Sequence, residues 1–414
     1  AAVAARLGAP APAAARAALG HPDPANTGFG GGTGYNLAAL LGAGSAYAML
    51  DDDFVLPLSL PGDAMPGLDF DAVPDSTTRF FDSADAALAA GIPLASEPFV
   101  HALGVCGGRL GDIWQLDPWR VTRDDLAGFA PSRLPRINAD ARIATLTHGH
   151  RGDSGAQSTR WMYLLDDASR RAFAADAERY ARNLEGGAVW FGPERARIDA
   201  QTAFTPFAVD ARQFVPPTVA GGRSEDLVFG ALVAACDPGC VALHSNLTIG
   251  HRQERARLRS ATLADASTPV SNQWLADLLT SASPELHADT PSRRVVSLGN
   301  VLRDAAASSP ARRLEMVSDY LRYARADMAS RLAAARDAAG DAPDFWRRDV
   351  DRMIEAQRLA LLDPPPPRFS DWPADERDAA GRVALLLESF AAVLEAWPAL
   401  LDHAAQCADS LLQD

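Results

Sequence analysis

The sequence predicts an α/β fold followed by a helical C-terminal region, and two patterns lead there. Ala46–Leu50 is apolar and runs straight into Asp51-Asp52-Asp53, while Ala141–Thr147, rich in β-branched residues, empties into His148-Gly-His-Arg-Gly-Asp-Ser-Gly155. Apolar strands that end in polar loops are how open α/β sheets gather ligands, at the strands' carboxyl ends. From Asn272 onward the pattern changes. Leu275, Leu278 and Leu279, then Met316, Tyr320, Leu321, Ala324 and Met328, recur at helical spacing. A chain of 414 residues supports two to three domains.

Along the chain, Ala1–Leu19 is helix-forming by composition, with an interruption at Pro10 and Pro12. His21–Gly34 reads as a loop, and Tyr35–Leu41 as a helix leading into the Ala46–Leu50 strand. Pro57–Asp75 is rich in turn formers, and Ala84–Val105 has a βα pattern. Arg170–Leu184 reads as helix and Val215–Gly222 as a Pro/Gly loop. Leu227, Val228, Ala231 and Leu232 give Ser224–Ala235 helical periodicity, and Val241–Asn246 is a short strand. Pro364–Pro367 is a rigid break between C-terminal helices.

Composition excludes several classes. All 39 basic residues are arginine, which removes Schiff-base chemistry and a P-loop lysine. A net charge of −14 disfavours nucleic acid and anionic membrane surfaces as partners. Cys106, Cys236, Cys240 and Cys407 are too sparse for a disulfide framework and complete no zinc pattern; buried free thiols fit a reducing cytoplasm. No signal-peptide pattern opens the chain, which begins with Ala1 rather than Met, and a truncated natural N-terminus is expected. Thr27–Leu50 is uncharged but holds seven glycines and Asn36, and Val383–Leu401 is broken by Glu388, Glu395 and Pro398. Neither is expected to span a membrane.

In an extended chain Asp51 and Asp53 share one face and Asp52 takes the other. Two carboxylates on one side suit a hard divalent cation, Mg²⁺ or Mn²⁺, shared with a substrate phosphate; a helix N-terminus is the plainer use of such acids. Gly28–Gly34 keeps neither the dinucleotide nor the P-loop spacing. Gly221-Gly-Arg-Ser-Glu225-Asp226-Leu-Val-Phe-Gly230 sets an acidic pair after a glycine turn. A carboxylate there can take a proton from a hydroxyl nucleophile. The alternative is a helix cap, with Ser224 as N-cap and the two acids favouring the dipole.

A Gly-rich turn, Asn36, a strand ending in Asp-x-Asp, then a glycine turn with Glu225-Asp226 follow in the order in which they occur in nucleotide-sugar glycosyltransferases of the GT-A fold, family 2 type. The chain resembles that family over roughly residues 20–255. The resemblance implies a mixed, mostly parallel sheet flanked by helices over residues 1–265, with an insertion around 57–165, and a helical domain at 266–414. It implies a nucleoside-diphosphate sugar donor, a carbohydrate, lipid-linked or small-molecule hydroxyl acceptor, and Mn²⁺ or Mg²⁺ as cofactor. By the same resemblance Asp226 is the general base of an inverting transfer and Glu225 orients the acceptor or caps the helix. Gly34, Asn36, Asp51, Asp52 and Arg223 bind the donor. Asp51 and Asp53 hold the metal, with His251, in preference to His244, completing the shell. The C-terminal helices are the expected surface for homo-oligomerisation. Three features depart from the family: Tyr35 stands where an arginine is usual, the Asp51–Glu225 interval is long, and only about 50 residues precede the aspartates.

Two other readings compete. His148-Gly-His150-Arg-Gly-Asp153 resembles the metal loop of metallo-β-lactamase-type hydrolases, with the aspartate one residue late and Ser154 in place of the last histidine. The same loop, through Arg151 and the backbone of Gly152 and Gly155, could instead contact acceptor or diphosphate. The other reading is a non-catalytic binding protein built on a degenerate transferase domain, favoured by Tyr35 and the short N-terminal part.

Overall fold

The computed structural model describes residues 6–7, 9–20, 30–70, 78–122, 124–126, 135–156, 158–202, 204–253, 270–369 and 378–411. The part of the loop read at His21–Gly34 that runs to Phe29, and the first five residues, lie outside them. The elements run α1 (Pro12–Leu19), α2 (Gly31–Leu41), β1 (Ala46–Ala48), β2 (Phe54–Leu60), β3 (Leu68–Asp69), β4 (Thr78–Phe80), α3 (Ala84–Leu88), β5 (Ile92–Pro93), α4 (Pro98–Val105), α5 (Leu110–Ile113) and β6 (Arg142–Asp153). Then follow α6 (Asp167–Phe173), α7 (Ala177–Gly186), β7 (Ala188–Phe191), β8 (Ala196–Asp199), β9 (Ala208–Asp210), α8 (Glu225–Cys236) and β10 (Cys240–His251). Five helices complete the chain: α9 (Gln273–Ala282), α10 (Pro291–Ala307), α11 (Pro310–Ala338), α12 (Asp344–Leu362) and α13 (Ala379–Leu411).

All ten strands form one sheet whose main path is β1-β9-β6-β10-β2-β5. The long strands β6 and β10 pair in parallel at its centre, from Cys240 opposite Arg142 to His251 opposite Gly152. Every residue of β10 is buried, because β6 covers one edge while β8 and β2 share the other. Apart from β6–β10 and β3–β8, the pairings are antiparallel. The sheet is therefore mixed α/β but mostly antiparallel, against the mostly parallel expectation. Parallel neighbours need a long crossover, and β6–β10 has one, carrying α6, α7 and α8; short strands with short links pair antiparallel around that centre.

Pairing also extends elements beyond their local signal. His148–Asp153 does not loop out but stays in β6, and β10 continues past Asn246 to His251, because each segment is the other's ladder partner. Phe54–Leu60, placed partly in a turn region, is β2, antiparallel to the end of β10. The helix read at Arg170–Leu184 is two helices, since the Asp166 and Asp176 carboxylates each accept an N–H from the first turn that follows.

Ile143, Leu146, Val241 and Leu243 pack with α4 and α5 on one side. Ala144, Val209 and Cys240 join a second core built from α2, α8, α9, α10 and α13. There α13 buries Leu387, Leu394 and Leu400 completely, each worth roughly 1.5–3 kcal/mol, and its Trp397 indole N–H donates to the Val215 carbonyl at 2.7 Å. This helix is long and apolar enough, by length and composition, to cross a membrane, and 44% of its most apolar stretch is buried in the fold.

Helix α2 begins at Gly31, earlier than Tyr35, because its glycines dock it on the loop after β9. A Cβ on Gly32 would lie 1.8 Å from the Val219 carbonyl oxygen. One turn on, the fully buried Asn36 amide donates to Thr218 O (2.9 Å) and Ala18 O (3.0 Å) and accepts the Thr218 N–H (2.7 Å). Asn36→Ala leaves all three groups buried and unpaired, and should cost on the order of 3 kcal/mol, read as a lower urea midpoint with unchanged slope. Gly32→Ala should destabilise as well, since its clash is with backbone that cannot rotate away.

Candidate functional site

Register brings the site together. Because β6 and β10 run parallel, Asp153 and His251 emerge side by side at the carboxyl end of the pair. Strand β2 runs back along β10 with Phe54 opposite His251, which sets Asp53 beside that histidine. Strand β1 is antiparallel to β9 and β9 to β6, so β1 also points its carboxyl end, and Asp51, to this edge. Helix α8 is joined to the start of β10 by a short turn and runs back against it, which returns its N-terminus, Glu225 and Asp226, toward the same end.

His251 Nε2 lies 2.9 Å from Asp53 Oδ2, and Nδ1–H donates to the Asp153 carbonyl at 2.7 Å. The carbonyl on Nδ1 fixes the ring plane and leaves Nε2 facing Asp53, where it carries a proton in this hydrogen bond and, once deprotonated, is the nitrogen that could take a metal. Gly152 permits the approach. It has φ +112°, and a Cβ there would lie 2.3 Å from the His251 carbonyl oxygen. Burial would lower the His251 pKa, but the Asp53 hydrogen bond and the Asp153 carbonyl outweigh it and raise it.

Asp51–Asp53 do not alternate as in a strand. They form a turn between β1 and β2, where a ligand atom from each lies within 4.8 Å of the others. Burial and the charge of Asp53 raise the Asp51 pKa. These three carboxylates could hold a cation, which would relieve their mutual repulsion, and His251 stands beside Asp53. Among the described residues it is the one cluster of three or more such groups.

The acidic pair is nearby in electrostatic terms. Burial first, then Asp226, raise Glu225 to about 8, and Asp51 adds to the shift. Burial also raises Asp226, whose Oδ1 accepts the Leu227 N–H at 2.8 Å. Buried Tyr35 is raised well above its usual value by desolvation, then by the charges of Asp226, Glu225 and Asp51, so it sits among all three. Ser224 adopts φ +71°, uncommon for serine, and does not cap α8; its hydroxyl meets Ser271 Oγ at 2.9 Å.

Other expected site residues lie elsewhere or act differently. Asn36 is wholly engaged with Thr218 and Ala18, and Gly34 faces open space on α2. Arg223 sits on the loop before α8, where its charge acts on Glu225. His244 is buried against Thr147 Oγ1 (2.5 Å) and Asp199 (3.3 Å), and desolvation lowers it to about 4. His148 is bound to Ser245 Oγ at 2.6 Å and lowered by burial to about 3; His150 rests on Phe191 and is lowered, also by burial, to about 4. Arg151 offers nothing to a phosphate, since it donates to the carbonyls of Leu88, Thr248 and Pro57.

Beside Asp53 opens a cavity of about 660 Å³. Asp52, Asp53, Asp85, Asp153 and Glu185 line it, with Arg252 already paired to Asp85. Such a lining favours cations and hydroxyl-bearing groups over a bare anion. Asp85, Glu185 and the carbonyl role of Asp153 had no signal of their own in the sequence; the only hint was glycine at 152 and 155 around Asp153.

Compared with protein-family models, curated proteins and solved structures, the chain finds no match, so its function is read from its own residues.

Proposed function

We propose that the chain is a metal-dependent glycosyltransferase that moves a sugar from a nucleoside-diphosphate donor to a hydroxyl acceptor with inversion. The observation that supports this most is the Asp53–His251–Asp153 arrangement, beside an Asp51 whose charge reaches the buried Glu225. Asp51, Asp53 and His251 would hold Mn²⁺ or Mg²⁺. Bound there, the cation would act as a Lewis acid for the charge that develops on the departing diphosphate.

The chain's own groups supply the rest. At neutral pH two adjacent buried carboxyls share charge poorly, and Glu225, raised to about 8, keeps its proton. The charge of Asp226 adds to the rise of Glu225 and not the reverse, so Asp226 is the member that ionises first. It is the group suited to take the acceptor's hydroxyl proton as the glycosidic bond forms, while protonated Glu225 donates a hydrogen bond to orient that acceptor. The buried setting excludes water that would compete as acceptor.

Three outcomes follow. Titration calorimetry with Mn²⁺ should show binding that Asp53→Ala abolishes and His251→Ala weakens by about 10–100-fold, with His148→Ala close to wild type; loss with His148→Ala alone would favour the hydrolase reading. With uridine, guanosine and thymidine donors, metal-dependent nucleotide release should fall about 10²–10⁴-fold in Asp226→Asn at unchanged donor affinity. The pH–rate profile should rise on its acid side above the usual aspartate range, as Asp226 loses its proton, and bend near pH 8, as Glu225 loses its own. Glu225→Gln should remove the bend and keep the acid limb.

A further inference from the structure

A second cavity, about 470 Å³, lies between α9, α11 and α12 and the start of α8, with Arg325 and Gln357 in its lining. Arg325 is 6% exposed. Among the described residues its only hydrogen bond is a long one, from Nη1 to the Ala360 carbonyl at 3.5 Å, and its buried Nε has no hydrogen-bond partner. Among the described residues no carboxylate forms an ion pair with it.

The other deeply buried arginines are treated differently. Arg151 donates to three backbone carbonyls, and Arg170 is paired with Asp167 and Asp341. A guanidinium does not give up its charge inside proteins, and an unmatched buried charge is costly, so the fork in this cavity lacks its counter-ion. The acids that also face the cavity do not supply one: Asp327 leans toward Arg331 at 3.8 Å, and Asp277 acts on Tyr320. Tyr323, 69% exposed, stands at the same cavity and offers a ring face.

The cavity also touches the acidic pair's own element. Leu227, the residue after Asp226, and Ser271, bonded to Ser224, both line it. We propose that this cleft is the acceptor subsite, and that Arg325 grips an anionic oxygen group, phosphate or carboxylate, on a small hydroxyl-bearing acceptor. The role as acceptor subsite rests on the transferase reading; the anion site itself does not. A planar guanidinium fork matches either oxyanion in bidentate fashion, with the ring of Tyr323 covering the acceptor's apolar side. The anion is thereby held away from the acidic cavity at Asp53, and the acceptor's hydroxyl reaches the Leu227 side of the cavity, at the start of α8.

The test has two arms on the full-length chain. In the first, inorganic phosphate and acetate are titrated without metal or donor, following melting temperature and heat of binding. Saturable binding with a rising melting temperature is expected. Arg325→Met should melt higher than wild type without anion, since it removes an unmatched buried charge, and should lose the anion-dependent rise. Should Arg325→Met not fold, Tyr323→Glu, at an exposed position, should weaken phosphate binding several-fold. No anion-dependent stabilisation, or equal stabilisation of wild type and variants, overturns the site. In the second arm, glycerol phosphate and glycerol are compared as acceptors. Donor turnover that glycerol phosphate accelerates no more than glycerol overturns the acceptor assignment. Absence of donor turnover altogether removes the transferase reading, and the acceptor role with it, while the first arm still decides whether Arg325 holds an anion.

Discussion

The parallel pairing of β6 with β10 is the constraint on which the rest of the molecule depends. Two twelve-residue strands, one of them buried along its whole length, set a register that every neighbouring short strand then follows. A one-residue slip would turn each side chain to the opposite face of the sheet. It would also separate the Asp153 carbonyl from His251 Nδ1, and with it the orientation of the imidazole toward Asp53. Fold and candidate site are therefore not independent here. Glycine at 152 belongs to the same constraint, because the backbone of β6 closes on the carbonyl of His251 at that point.

A second set of contacts holds the acidic pair from both sides. From the α2 side, Asn36 clasps the backbone of Thr218, and the Thr218 hydroxyl donates to the Glu225 carbonyl at 2.6 Å. From the α9 side, Asn272 donates its side-chain amide to Gly221 O, while its backbone N–H reaches Arg223 O. The loop between carries Ser224 in a left-handed conformation, stabilised by its neighbours on each flank. Asn36 thus reaches the backbone of Glu225 through Thr218, with its amide taken up by the protein's own backbone.

Charge is distributed unevenly, and the absence of lysine shapes how. Arginine performs the structural tasks: Arg294 binds the carbonyls of Ala235, Ser283 and Leu286, and Arg347 those of Ala339, Gly340 and Ala342, satisfying helix ends that lack intrahelical partners. Acids gather instead at the Asp53 edge, where burial raises Asp51, Glu225 and Asp226, and neighbouring carboxylates add to the rise of the first two. Arg325 fits neither pattern, which is why its cavity stands out.

Local sequence alone determined the features that depend on near neighbours. The helical periodicity after Asn272, the helix following Ser224, the strands near Ala46 and Ala141, and the proximity of Asp51 to Asp53 all come from short-range patterns, and each is present. His251 came instead from the family resemblance, in preference to His244, and it is the histidine beside Asp53. Tertiary structure decided what short-range patterns cannot encode. Ladder partners far apart in the chain keep His148–Asp153 extended and make the sheet mostly antiparallel. The turn at Asp51–Asp53 replaces the alternation of a strand because β2 folds back along β10 there. Asn36 and Arg151 look like ligand groups in sequence, yet both are buried against carbonyls that only the fold brings to them. Polar side chains advertise their chemistry locally, but whether that chemistry faces a ligand or the protein's own backbone is settled by long-range packing.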